Sequence, residues 1–130
     1  MQSPNPRLVL LCIDDNAGEL KLRTLILANA GYTVLTARSG EAGLYLFAHN
    51  HVDLVISDHV LQDLPAAQLI GEMKRLKADV PFLMLSGLPD APDGAEQADM
   101  FVTKGMSPPD FLATIQELFK GKAIAVRNPS

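Results

Sequence analysis

The stretch DLVISDHVLQD, residues 53–63, decides the fold. Leu54 to Ser57 are apolar or small and run directly into an acid, Asp58. A short run of this kind, apolar on both alternating faces, reads as a strand covered on both sides. A carboxylate at the end of such a strand costs stability unless a partner stabilises it.

The same pattern recurs along the chain. RLVLLCI, 7–13, stops at Asp14-Asp15; FLMLS, 82–86, ends in Ser86; MFVTK, 100–104, ends in Lys104. YTVLTA, 32–37, is a further strand, rich in β-branched residues. Helical patterns alternate with these strands. Asn16 with Glu19 is a capping pattern, followed by Leu22, Leu25, Ile26 and Ala30 at helical spacing, and Gly31 ends the helix. Ser39 can cap a helix over about 40–49 with Leu44 and Phe47 inward. A helix opening near Pro65 carries Leu69, Ile70, Met73 and Leu76, with Asp63 as its expected cap. Ser107 caps a last helix with Pro108 first and Asp110 third, and Phe111, Leu112, Ile115, Leu118 and Phe119 face inward. Strands that are apolar throughout, alternating with helices, predict a parallel sheet with helices on both sides and right-handed crossovers.

One segment breaks the rhythm. GLPDAPDGAEQAD, 87–99, holds two prolines and two glycines, and only AEQA can be helical, for about one turn. A fourth helix that is short or disordered is therefore expected. Residues 7–121 are expected to form the domain, with 1–6 and 122–130 as flexible ends.

The chain has 130 residues, 48% of them hydrophobic, which suits one domain with a substantial core. No apolar run nears the ~20 residues of a membrane helix, and MQSPNPR has no signal-peptide core. No membrane contact and a cytoplasmic location are expected. The net charge is −4 and no large basic cluster occurs, so no direct nucleic-acid binding is expected. The single cysteine, Cys12, lies in an apolar run and reads as a core residue.

In an open parallel sheet, ligands sit beyond the carboxyl ends of the strands. Asp14, Asp15, Asp58, Ser86 and Lys104 all fall at that edge. Clustered carboxylates raise one another's pKa. A hard divalent cation with oxygen ligands removes that cost, and Mg²⁺ suits a small open site. Mg²⁺, a lysine and a hydroxyl make a cradle for a phosphoryl group, with Asp58 as the nucleophile that accepts it.

These residues identify a resemblance. CIDDN at 12–16, DLVISD at 53–58, LMLSG at 83–87 and VTKG at 102–105 resemble the receiver domain of two-component response regulators, the chemotaxis-regulator-like fold. The resemblance implies a flavodoxin-like three-layer sandwich with a five-stranded parallel sheet of order 2-1-3-4-5. By the same resemblance, Asp58 matches the phospho-acceptor, Asp15 the direct Mg²⁺ ligand and Asp14 its acidic neighbour, which reaches the metal through water. The backbone carbonyl of Val60 matches the third protein ligand. Ser86 matches the switch hydroxyl, Lys104 the lysine that pairs with the phosphoryl group, and Phe101 the aromatic rotamer switch. The implied partners are a sensor histidine kinase or histidine phosphotransfer protein and a downstream protein target, with a homodimer as an option. The implied activity is not that of an enzyme on an external substrate; the domain catalyses only its own phosphorylation and dephosphorylation.

The sequence departs from the family in places. Gln62 stands where the family has proline and Ala66 where it has glycine, so the loop after Asp58 is expected to be less fixed. Gly105 replaces the proline after the lysine, so Lys104-Gly105 is expected to be trans and Lys104 less rigidly held. The stunted segment 87–99 implies a reshaped signalling face, with partners docking elsewhere and helix one a candidate. Val60 and Leu88 match positions that influence water access; both are apolar, so self-dephosphorylation is expected to be slow. His59 sits beside Asp58 at the expected pocket rim, while His49, His51, Lys74, Arg75 and Lys77 read as solvated helix-end residues.

Few residues follow the last helix, so output is expected through protein contact or onward phosphotransfer. Alternatively, the sequence is a receiver from a larger chain such as a hybrid kinase. A phosphorylation-independent pseudo-receiver acting as an interaction module is the alternative function. A haloacid dehalogenase-type phosphatase would carry a second acid where Val60 stands, and a flavodoxin would need a hydroxyl-rich loop where DDNAGE is acidic.

Overall fold

The computed structural model describes residues 7–87 and 95–127. Five strands, β1 Val9–Ile13, β2 Thr33–Ala37, β3 Leu54–Asp58, β4 Phe82–Ser86 and β5 Met100–Thr103, form one parallel sheet of order 2-1-3-4-5. Helices α1 Ala17–Asn29, α2 Gly40–His49, α3 Ala66–Leu76 and α4 Pro108–Arg127 cover its two faces. The architecture is the three-layer, flavodoxin-like sandwich expected.

Alternate residues of each central strand feed two separate cores, because successive side chains point to opposite faces. Leu11, Ile13, Val55, Phe82 and Met84 pack with Phe47 of α2 and Leu69, Ile70 and Met73 of α3. Leu10, Cys12, Leu54, Ile56, Leu83 and Leu85 pack with Leu20 and Leu27 of α1 and Phe111 and Ile115 of α4. β3 and β4 are buried along their whole length, as their unbroken apolar runs require. Cys12 is fully buried, and burial pushes its thiol up to about 12.

The helix ends follow local rules. The Asn16 side chain accepts the Glu19 amide at 2.9 Å, Ser39 accepts that of Ala42 at 3.1 Å, and Ser107 accepts that of Asp110 at 3.3 Å. Gly31 takes φ +105° after α1, a conformation that favours glycine. Between β4 and β5 the described residues hold one short 3₁₀ turn, Ala95–Gln97. Leu88 lies outside the described residues, as do 1–6 and 128–130.

Three expectations need correction. The apolar stripe of α1 is not Leu22, Leu25, Ile26 and Ala30: Leu20 and Leu27 are buried, while Leu22 and Leu25 are more than half exposed. Its leucines are spread around the helix instead of forming one stripe, so periodicity alone does not choose its inner face. Leu76 of α3 is likewise exposed. The basic end of α3 is not simply solvated. Lys77 donates to the Phe47 and Asn50 carbonyls at 2.7 and 2.8 Å, where α2 ends, and lies over the Phe47 ring. Lys74 joins Val80 and Asp99, whose carboxylate also accepts the Phe82 amide at 2.7 Å; only Arg75, paired with Glu72, stays at the surface.

Candidate functional site: an acid pocket at the carboxyl edge of the sheet

The parallel register brings the strand ends together. β1 lies between β2 and β3, and β4 lies between β3 and β5. The ladder runs past the strand ends and anchors the residues beyond them. The Asp14 amide donates to Ala37 at 3.1 Å, His59 to Leu85 at 2.7 Å, and Lys104 to Ser86 at 2.7 Å. The three acids that the sequence placed at this edge meet: carboxylate oxygens of Asp14, Asp15 and Asp58 all lie within 4.8 Å of one another. Asp14, Ser86 and Asp58 are buried, and Asp15 is half-buried.

Lys104 closes the cluster. Its ammonium lies 3.0 Å from Asp58 Oδ1, 4.0 Å from Asp14 Oδ2 and 2.7 Å from Glu19 Oε1. Burial draws the Lys104 pKa down, but the hydrogen bonds to Glu19 and Asp58 and the charges of Asp58 and Asp14 outweigh it, so the pKa lies above the ordinary value. Burial raises the Asp58 pKa, the charges of Asp14 and Glu19 add to this, and Lys104 opposes it without cancelling it. Asp58 is thus a carboxylate held in an environment that resists its charge, beside the cation that offsets part of the cost.

Two members of the pocket were invisible as such in the sequence. Arg23 of α1 places Nη1 3.2 Å from Asp14 Oδ2 and is itself largely buried. Glu19, expected only as part of a capping pattern, turns its carboxylate to Lys104 and to Arg23, 3.8 Å away. The Asn16 amide that a capping box would give to Glu19 goes to Asp14 Oδ1 at 2.9 Å. The only signal was the i, i+4 spacing of an acid and a base on α1. Four carboxylates therefore outnumber the two cations that contact them, Arg23 and Lys104, while the guanidinium of Arg38 lies further out on the Asp15 carbonyl at 3.3 Å. An all-oxygen donor set with that excess fits one hard divalent cation.

The remaining site candidates fall where the strand ends put them. Val60 lies on the loop two residues past Asp58, its side chain 61% exposed. Phe101 on β5 is half-buried against the core beneath α2 and α3. His59 is half-buried at the rim. His49 lies outside the pocket, stacked on Tyr45, and His51 pairs with Asp53 at 2.9 Å. Among the described residues no peptide bond is cis, so Lys104-Gly105 is trans as expected.

The loop after Asp58 is better anchored than the missing proline and glycine suggested. Leu61 is buried in the core. Asp63 is not the cap of α3; its carboxylate accepts the Gly40 and Glu41 amides at 2.9 and 2.8 Å, capping α2 from 23 and 22 residues away. Pro65 at the N-terminus of α3 makes no side-chain cap. Lys104, too, is less free than its glycine neighbour implied, because Glu19 and Asp58 hold its ammonium.

The family model for the response regulator receiver domain matches residues 10–116. The chain is 38% identical over 99 residues, 73% of its length, to the transcriptional regulatory protein GlrR of Escherichia coli, of which the match covers 22%. It is 34% identical over 115 residues to a probable transcriptional regulator, ycf27, of Cyanidium caldarium, covering 85% of this chain and 46% of that one. The chain thus spans less than half the length of these relatives. Among solved structures, a response regulator receiver domain from Clostridium thermocellum superposes with a TM-score of 0.82 at 27% identity, over 90% of this chain and 98% of that one. The response regulator TrrA of Thermotoga maritima, solved in complex with Mg²⁺ and BeF, superposes with a TM-score of 0.79 at 25% identity, over 85% and 98%. The strand order, the converging acids and these matches agree: the chain belongs to the response regulator receiver domain family, the signalling module of two-component systems.

Proposed function

We propose that the chain accepts a phosphoryl group on Asp58 and signals by the conformational change that follows. The observation that carries this reading is the Asp58 carboxylate, set among Asp14 and Asp15 and within 3.0 Å of the Lys104 ammonium. Asp58 Oδ attacks the donor phosphorus, the bond from phosphorus to the donor atom breaks, and an acyl phosphate forms. Asp14, Asp15, Asp58 and the backbone carbonyl of Val60 would hold Mg²⁺, which supplies neutralising charge for the phosphoryl oxygens when bound. Lys104 then exchanges its contact with Asp58 for one with the phosphoryl group, and the Ser86 hydroxyl moves to a second oxygen. Phe101 follows Ser86 by changing rotamer.

The donor in this reading is a sensor histidine kinase or a histidine phosphotransfer protein, and the receiver of the signal is a further protein. With only a single 3₁₀ turn described between β4 and β5, docking is proposed on α1, whose Leu22 and Leu25 are exposed. Chemical-shift mapping with a cognate kinase checks this; a footprint confined to residues 87–99 and α4 would overturn it.

Intact mass after incubation with Mg²⁺ and acetyl phosphate tests the central reading. One phosphoryl adduct is expected on the wild type and none on Asp58→Asn. No adduct on the wild type, with no Mg²⁺ binding, would point instead to a pseudo-receiver that binds its partner without phosphorylation.

A further inference from the structure

The proposed reaction uses Asp14, Asp15, Asp58 and Lys104, but it has no part for the two other charged side chains that α1 sends into the pocket. Glu19 and Arg23 are one turn apart and meet at 3.8 Å. Each is committed to a different member of the pocket. Arg23 holds Asp14 Oδ2 at 3.2 Å, and Glu19 holds the Lys104 ammonium at 2.7 Å. The Asp14 carboxylate is fully buried, and its other oxygen already accepts the Asn16 amide. Both Asp14 oxygens are therefore occupied by protein donors before any cation arrives.

We infer that Arg23 and Glu19 are opposed positioning residues that set how tightly the acid pocket takes a divalent cation. Arg23 is the resident counter-charge on Asp14, and an arriving cation is repelled by it. Glu19 acts the other way, adding negative charge and drawing Lys104 partly off Asp58. The inference rests on the proposed reading of the pocket as a Mg²⁺ site.

The physics supports opposite signs. An arginine keeps its charge at every accessible pH, so its opposition to a second cation is permanent. With its side chain only 11% exposed, salt screens it weakly. Charges a few ångströms apart in such surroundings interact strongly enough to change cation affinity by about tenfold or more. Arg23 also does necessary work in the metal-free protein, because Asp14 without it would be a buried charge lacking its closest cation. The same contact therefore favours folding of the metal-free chain and weakens its metal binding. Glu19, at the exposed side of the pocket, has the smaller effect.

The test is an NMR-monitored MgCl₂ titration at constant ionic strength, on the wild type, Arg23→Met, Arg23→Lys and Glu19→Gln. Arg23→Met is expected to bind Mg²⁺ about tenfold more tightly, Arg23→Lys close to the wild type, and Glu19→Gln several-fold more weakly. Damage to the pocket would weaken binding in every variant, so a tightening cannot come from a merely structural role. Thermal unfolding gives a second readout: Arg23→Met melts below the wild type without Mg²⁺ and gains more from its addition. If Arg23→Met does not fold without Mg²⁺, Arg23→Gln, which keeps a polar side chain beside Asp14 without the charge, takes its place in the titration with the same tightening expected. Mg²⁺ binding of equal strength in the wild type, Arg23→Met and Glu19→Gln, or weakening in both of those variants, overturns this inference and leaves the proposed function standing. A wild type that binds no Mg²⁺ overturns the metal site itself.

Discussion

Asp63→Ala isolates a contact that joins the loop after Asp58 to a distant helix. The carboxylate accepts the amides of Gly40 and Glu41, two of the first-turn donors that α2 cannot satisfy internally. Losing an N-terminal cap costs about 0.5–2 kcal/mol, and losing a negative charge at a helix N-terminus adds about 0.3–1 kcal/mol. Asp63 is exposed, so water replaces part of what is lost, and Ser39 keeps its own bond to Ala42. The expected cost is therefore in the lower half of that range, about 1–1.5 kcal/mol. For a domain of this size Tm should fall by roughly 4–6 °C at pH 7. Asp63→Asn should fall between, and Gln62→Ala, beside it and exposed, should stay within about 0.5 kcal/mol. The pH dependence carries a sign. The bond from the Glu41 amide, followed by that from Gly40, lowers the Asp63 pKa below 3.8 against the opposing push of desolvation. A carboxylate whose folded pKa is depressed stabilises fully above its unfolded value, and that stability is lost as pH falls through the folded one. The Tm gap between wild type and Asp63→Ala should thus hold steady from about pH 7 to 5 and close below about pH 4. Thermal melts followed by circular dichroism across that range provide the assay. No gap at pH 7, or a gap unchanged in acid, would refute the cap.

Two further outcomes follow from single positions. Val60→Asn should shorten the lifetime of the acyl phosphate several-fold, because an amide at the rim can orient water where the exposed valine cannot; an unchanged rate of phosphate loss in Mg²⁺ buffer would count against that view. Gly43→Ala should destabilise by about 1 kcal/mol although alanine is the better helix former. A Cβ there would collide with Cδ1 and sit 2.9 Å from Cγ1 of the fully buried Ile13, and a rise in Tm would show that the core gives way freely.

The family assignment and the pocket acids were legible early because both depend on local chemistry. Apolar runs that end in Asp58, Ser86 or Lys104 announce a buried parallel strand and the edge where its side chains emerge. The caps at Asn16, Ser39 and Ser107 depend on residues three apart, and all three form. The errors share a different origin. Asp63 lies next to α3 in sequence but bonds α2. Lys77 ends α3 but closes α2. Glu19 matched a capping pattern but bonds a lysine 85 residues on. In each case a polar side chain whose neighbours in sequence suggested a local role took a distant partner in the fold.

The sequence by itself determined the order of strands and helices, the acids at the sheet edge and the short turn at 95–97. Periodicity and capping act within a few residues, so the chain carries that information locally. Only the tertiary structure decided which face of α1 is buried, which helix Asp63 caps, and that Arg23 and Glu19 belong to the acid pocket. Those outcomes depend on the parallel register and on how helices lean across the sheet. There, the burial of a charge selects the nearest opposite charge in space, whatever its distance along the chain.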